Sequence, residues 1–425
     1  MFGKRQSKHL FLLDGLDANL PPVVGILCLL LVLVYLNNIF RLTPQLPNVL
    51  YYASVIVLNG LLLLLSAKDN IRIAPDMWLF WLLMWISIWV NIDELDASFK
   101  APYRTISFLL VQLVVAPWFV SKQLNLSRDF IFNLLNLGIL FMAELSFAGR
   151  IFHFLPTDEQ GFYLGCTWHS MNLAAISGIA AIYSMHHFVQ SLKDAFLRRI
   201  YAVGVAGAFL VIILSASRTV LISCIIAILG YWGAGASQRI LKIIKPSLIV
   251  CLLAYVISIV MPEAFMGLAK KSIGSNEQMT MEQFAQSRSG VWLARFNEIK
   301  ESPFFGVGAH SIKYGQADFF SGQIEPGNAW LYVFSSMGIF QFVLFCGMIW
   351  RAFRRVRLQA KPGRQASLIM ALLIYFCFYM VGEAHITAAG EFTCIYFWLL
   401  LSMAIFHDFS MDEPKPSVSH VYLVK

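Results

Sequence analysis

Asn328-Ala-Trp-Leu-Tyr-Val-Phe-Ser-Ser-Met-Gly-Ile-Phe-Gln-Phe-Val-Leu-Phe-Cys-Gly-Met-Ile-Trp350 runs without a charged side chain and then turns into Arg351-Ala-Phe-Arg354-Arg355-Val-Arg357. At about 1.5 Å of rise per residue, a helix of that length crosses a hydrocarbon core of about 30 Å. The arginines that end it, joined by Lys361 and Arg364, form the short dense basic loop that marks a cytoplasmic flank. In that setting the block reads as a membrane flank and not as a nucleic-acid patch. This one stretch makes the chain a membrane protein and gives it a direction.

The pattern repeats on both sides of it. Twelve mostly apolar stretches lie at approximately 22–40, 48–66, 75–91, 102–120, 130–147, 170–187, 200–215, 218–234, 247–261, 328–350, 366–382 and 390–407. The composition agrees: of 425 residues, 58% are hydrophobic and 13% charged, against about a quarter charged in soluble domains. A soluble enzyme, a nucleic-acid binder and a secreted disulfide scaffold are excluded together. Six of the seven cysteines lie in apolar runs and Cys166 in a loop, so no disulfide framework or zinc spacing is present. Residues 1–20 carry charge without a cleavage site, so no signal peptide is expected.

With an even number of spans both termini share a side, and placing them inside puts 21 of the 32 basic residues in cytoplasmic segments. The net charge of +8 is then mostly that of the cytoplasmic loops. The expected fold is an all-α polytopic membrane protein of about 12 transmembrane helices, with a long periplasmic loop between spans 9 and 10. Its parts are residues 1–261 (spans 1–9), 262–327 (a partly helical periplasmic loop), 328–407 (spans 10–12) and 408–425 (a cytoplasmic tail). A loop of that length usually has a function.

Chemistry is sought at the outer face, because ionisable residues are nearly absent within the spans. Arg218, in Leu214-Ser-Ala-Ser-Arg218-Thr219, sits at the junction of spans 7 and 8. It reads either as an arginine snorkelling to headgroups or as a planar fork open to an anion. Arg288, Trp292, Arg295 and Ile299 recur at helical spacing in the long loop. They predict an amphipathic helix with a cationic and aromatic stripe, suited to a membrane surface or to an anionic ligand. Gly306-Val307-Gly308 is by itself a weak phosphate-loop signal. Asn328, in Glu325-Pro-Gly-Asn328-Ala-Trp330, reads on local grounds as a helix cap. His169, His310 and His385 are outer-face histidines, and no paired spacing argues for a metal.

Taken in order, Ser217-Arg218 at a span start, Arg288 followed by Trp292, Glu301-Ser-Pro-Phe-Phe-Gly-Val-Gly308, and Gly327-Asn-Ala-Trp-Leu331 before Met337-Gly-Ile339 resemble the bacterial O-antigen ligase and O-antigen polymerase family. His169-Ser-Met-Asn172-Leu-Ala174 is similar to that family's Asn-Leu-Ala opening of a central span. The motifs cover about residues 165–345. The resemblance implies a metal-independent, GT-C-like membrane glycosyltransferase without a cofactor, acting on undecaprenyl-pyrophosphate-linked glycans at the outer face of the inner membrane. Its partners would be the lipid-linked oligosaccharide and the growing polysaccharide acceptor, with a chain-length regulator or assembly complex as a further one and no nucleic acid. The family's paired arginines, thought to hold the donor pyrophosphate, match Arg218 and Arg288. Arg295, Trp292, Asn328, Asn172 and His169 complete the expected substrate-binding set. Ligases typically carry His-Asn where this chain has Gly327-Asn328, a departure that points to the polymerases.

The reaction is a displacement at an anomeric carbon with a lipid pyrophosphate leaving. Arginine suits the leaving group, because its fork makes two parallel bonds to phosphate oxygens and keeps its charge near lipid. An acceptor hydroxyl must also lose a proton, for which Glu325, His310 and Glu383 are the candidate catalytic residues. A flippase for the same lipid-linked glycan and a non-enzymatic assembly scaffold are the other readings of a twelve-span chain. A flippase would carry its cations in a central cavity, whereas here they lie at the outer rim.

Overall fold

The computed structural model describes residues 20–92, 101–157, 161–191, 194–233, 281–313, 317–318, 323–324, 327–407 and 409. The ninth expected span, 247–261, and Glu325 lie outside them. Each of the other eleven stretches carries an α-helix: α1 (Pro22–Asn37), α2 (Asn48–Leu65), α3 (Pro75–Val90), α4 (Ala101–Val111), α5 (Lys122–Ile151), α6 (Ser170–Gln190), α7 (Ala195–Leu214), α8 (Arg218–Gly233), α10 (Ala329–Arg357), α11 (Gln365–Gly382) and α12 (Phe392–Phe406). Helix α9 (Met281–Glu301) lies in the long loop. Five helices are long and apolar enough to cross a membrane, counting α2 to Lys68, with α5, α7, α10 and α11. Four more apolar helices are shorter.

The local sequence sets the helix starts. Proline opens α1 and α3 in their first turns, where no N–H is needed. Ser121 Oγ accepts from Leu124 N at 3.1 Å to start α5, and Asp194 accepts from Phe196 N and Leu197 N to start α7. Helix α12 is buried from Phe392 to Ile405 on every face, as an evenly apolar helix must be, and the others pack around it.

The fourth stretch corrects the expectation of a continuous helix over 102–120. Helix α4 stops at Val111, and residues 112–118 turn before the chain pairs as strand β2 (Phe119–Val120) with β1 (Arg72–Ile73). Bare backbone is not tolerated in an apolar interior, so buried polar side chains replace the lost helical bonds. Asn59 Nδ2 donates to Val111 O at 3.2 Å, and Asn59 Oδ1 accepts from Val114 N at 3.1 Å. Arg128 Nε donates to Val114 O at 2.8 Å, and its Nη2 donates to Ala116 O at 3.0 Å and to Phe119 O.

The elements gather at two ends. At the basic end, Gln190 Nε2 donates to Gly363 O at 2.9 Å, Arg351 pairs with Asp76, and His407 Nδ1 meets Asp129 at 2.8 Å. At the opposite end, Arg41 N donates to Cys166 O at 2.8 Å, Asn38 Nδ2 to Gly390 O at 2.8 Å, and Asn91 Nδ2 to Gly306 O at 3.0 Å. Every described candidate residue lies toward this second end.

Candidate active site

Two of the sequence motifs lock into each other. Helix α10 breaks at Gly338, whose φ is +80°, and this frees the carbonyls before it. Val307 N donates to Ser335 O at 2.9 Å, Gly308 N to Ser336 O at 3.0 Å, and Ile339 N to Pro303 O at 2.9 Å. Ser87 Oγ adds a second bond to Ser336 O at 2.9 Å. The Gly306-Val307-Gly308 amides are therefore spent on protein carbonyls, which overturns the phosphate-loop reading. A Cβ on Gly338 would collide with the Phe304 carbonyl, and one on Gly306, at φ +70°, with the Ser336 backbone. Gly338→Ala or Gly306→Ala is expected to cost about 2–4 kcal/mol. The measurement is the fraction of monodisperse protein surviving a heating series, with Gly25→Ala, where a Cβ meets open space, as control.

The start of α10 meets the end of α11. Asn328, buried, caps α10 by accepting from Leu331 N at 3.0 Å, as its local sequence indicated. Ala329 N donates to Glu383 O at 3.2 Å. Gly382, one residue earlier, lies so close to α8 that a Cβ there would stand 2.5 Å from Thr219 Oγ1. Arg218, the half-buried first residue of α8, is thus at the same junction as Glu383. Asn172 joins this level: Cys224 Sγ contacts Gly178 O at 3.8 Å, and six residues outward along the parallel helices α8 and α6 stand Arg218 and Asn172. His169, by contrast, is exposed and its side chain caps nothing.

Helix α9 approaches the junction from the loop. Gly327, at φ +67°, faces Val291, with 2.9 Å between its Cβ position and Val291 Cγ1. Arg288 precedes Val291 by three residues in α9. Of the rest of the expected stripe, Arg295 is buried and Trp292 and Ile299 are half-buried. Arg295 is 1% exposed and pairs through Nη2 with Glu298 Oε1 at 2.9 Å, while Lys313 N donates to the same oxygen at 2.7 Å. Trp292 is half-buried, and its indole N–H is buried without a partner. Leu293 and Phe296 are the exposed residues. Arg295, expected among the substrate-binding residues, is held in a buried ion pair with Glu298.

Glu383 is buried, with Oε2 at 3.7 Å from His385 Nε2. A small pocket lined by Tyr379, Glu383, His385 and Thr393 opens there, and the Thr393 hydroxyl is buried without a partner. His310 sits differently. It adopts φ +60°, is 3% exposed, and packs its ring against Phe108 at 6.3 Å. Burial, reinforced by the nearby Arg104 charge, lowers its pKa to about 3. The imidazole is neutral at physiological pH and a weak base. Because the unfolded chain binds a proton near pH 6.5 that the folded chain refuses, His310 withdraws stability as pH falls from there toward 3.

Arg104, on α4, is a residue that the sequence reading passed over. Its charge acts on His310 and, with those of Arg295 and Glu298, on the Tyr332 hydroxyl. It stands at the outer end of a span, as Arg218 does, and that position was the available signal. Among the described residues no group of three or more His, Cys, Asp or Glu is placed to hold a metal ion.

The fold is thus a multi-pass helical bundle with arginines and a buried carboxyl side chain at one end. Residues 203–346 match the model of the family described as O-antigen ligase. The matched segment runs from α7 into α10 and carries Arg218, Arg288, both locked motifs and Asn328. It supports a function of the O-antigen ligase or polymerase type, that of membrane glycosyltransferase-like enzymes acting on lipid-linked glycans. No curated protein matches the chain.

Proposed function

We propose that the chain polymerises undecaprenyl-pyrophosphate-linked oligosaccharide repeat units of O-antigen, capsule or exopolysaccharide at the periplasmic face of the bacterial inner membrane, with both termini cytoplasmic. The observation that carries this reading is the junction at Gly382–Glu383, where the starts of α8 and α10 meet the end of α11. Arg218 and Arg288 hold the donor pyrophosphate. Glu383 takes the acceptor hydroxyl proton as the acceptor oxygen bonds to the anomeric carbon. The bond from that carbon to the phosphate oxygen breaks, and the pyrophosphate leaves with the electron pair. Bringing donor and acceptor together in one membrane plane supplies a large further part of the rate.

Gly327 supports the polymerase over the ligase. A histidine there, the residue that ligases typically carry, would put a Cβ 2.9 Å from Val291 Cγ1, so Val291 would have to move. The family description keeps the ligase as the second reading, with transfer to lipid A core in place of a growing chain.

Purified protein incubated with lipid-linked repeat units is expected to yield a ladder of lengthened glycans. A single transfer that occurs only when lipid A core is added would identify a ligase. Movement of the lipid across vesicles without new glycosidic bonds would identify a flippase. The ladder should persist in chelator, because the arginines can carry the leaving charge. Loss of activity that magnesium or manganese restores would refute that part.

A further inference from the structure

One half-buried carboxyl lies apart from the junction just described, on a helix that carries none of its residues. Glu144 is in α5, within a helix apolar enough to span the membrane, and its side chain enters a notch on α7 made by Gly204 and Gly207. Its Oε2 lies 3.2 Å from the place where a Cβ on Gly207 would stand, and its Oε1 3.6 Å from the same place on Gly204. Any larger residue at Gly207 would press on the carboxyl. Gly204 is at mid-length of α7, so the notch is well inside the bundle.

Glu144 Oε1 is buried without a hydrogen-bond partner, and no lysine or arginine pairs with the carboxyl among the described residues. A bare carboxylate is costly in such a place, and intramembrane carboxyls are generally protonated, paired or part of a path. The neighbour that completes the site is Ser184 on α6. Its Oγ is 2.9 Å from the same Cβ position on Gly204, so both oxygens lie within 4 Å of one point. Ser184 is 0% exposed and its hydroxyl also has no partner.

Polar groups continue from this pair toward the basic end. His187, one turn along α6 from Ser184, stacks on Tyr201 of α7 with ring centroids 5.1 Å apart. His187 Nδ1 and the Tyr201 hydroxyl are buried without partners as well. Next to them, His186 Nδ1 meets Tyr231 Oη at 3.1 Å, and Gly363 N, in the loop after α10, donates to that oxygen at 2.8 Å. Of the other titratable groups on helices packed against α5, Tyr183 meets His187 edge-on with ring centroids 4.4 Å apart, Tyr35 donates to Val111 O, Tyr396 donates to Asn136, and Arg198 and Arg199 lie near the start of α7 at the basic end. Four polar atoms thus lie along one seam with a carboxyl at its deep end, none hydrogen-bonded to another, so that a proton moving between them needs water.

We propose that Glu144 and Ser184 form a proton-binding site inside the membrane, reached from the basic end past His187 and Tyr201. The Glu144 carboxylate accepts a proton delivered by water along this seam and returns it the same way. Nothing is oxidised or reduced.

The probe is N,N′-dicyclohexylcarbodiimide, a lipid-soluble reagent that adds a carboxylic acid O–H across a C=N bond. The acyl group then migrates to nitrogen, leaving a stable N-acylurea. Intact protein in vesicles is expected to gain one adduct on the peptide carrying Glu144, at least about tenfold faster at pH 6 than at pH 9. The rate should follow the pH on the face that carries the Gly363 loop. Ser184→Ala should shift the midpoint of that pH profile, and Glu144→Gln should remove the adduct. The pH profile of the unaltered protein needs no variant to fold. The proposal is overturned by no adduct at Glu144 between pH 5 and 9, by a rate independent of pH, or by a rate set by the pH of the other face. Suppression by sodium ions at fixed pH would also overturn it, because the occupant would then be a metal cation.

Discussion

Lysine in place of Arg218 or of Arg288 is expected to slow glycan transfer tenfold or more in each case, with protein level and membrane insertion unchanged. Lysine keeps the charge but offers a point donor where the guanidinium offers two parallel ones. A lost charge-assisted bond is worth about 1.4 kcal/mol or more, which corresponds to that factor. Arg218 is at the Gly382–Glu383 junction, and Arg288 stands three residues before Val291, which packs on Gly327. The two are 70 positions apart in sequence, and only a shared anion requires both. Exposed Lys300, on the same helix as Arg288, is the control and should tolerate alanine. Arg295→Lys should instead lower the yield of folded protein, because its partner Glu298 is 0% exposed and would lose a fitted ion pair. Parental rates in both Arg218→Lys and Arg288→Lys would return these arginines to the role of headgroup anchors.

Glu383→Gln should have an effect at least as large, lowering the transfer rate by about 10²-fold or more, as is usual when a positioned base is removed. Glutamine fills the same space, and the bond from Ala329 N goes to the Glu383 backbone carbonyl, so the junction should stay closed. His310→Gln should cost far less, because an imidazole held at about 3 takes up no proton during turnover at neutral pH. The pair separates the two candidates in one assay: a larger loss from His310→Gln than from Glu383→Gln would reverse their roles.

Hydropathy located the helices because lipid and protein interior are both apolar, and runs of about 20 such residues have few other uses. The same equivalence hid two features. The stripe of Arg288, Trp292 and Arg295 indicated that α9 has two faces, but not which one meets protein, since Leu293 and Phe296 suit lipid as well as core. The break after Val111 was also invisible, because it depends on Asn59 and Arg128. Each is a single polar residue in or beside an apolar run, and they are far apart until the chain folds. Asn328 was legible as a cap because capping is local. Arg218 and Glu383 could be named separately from their places at span ends, but Gly382 against Thr219, which joins them, is a contact between residues 163 positions apart.

The bonds that join residues 303–308 to the break in α10 also impose an order on biosynthesis. The ribosome delivers Val307 and Gly308 before Ser335 and Ser336, so their amides can already be waiting across the bilayer when α10 enters it. A chain whose loop was held back would bring the Ser335 carbonyl into lipid unbonded and leave Ser336 O with only its Ser87 bond, at several kcal/mol for each unsatisfied group. With the loop on the periplasmic side, as proposed, its export and the settling of the next helix become one step, and a stalled translocation should leave α10 uninserted as well.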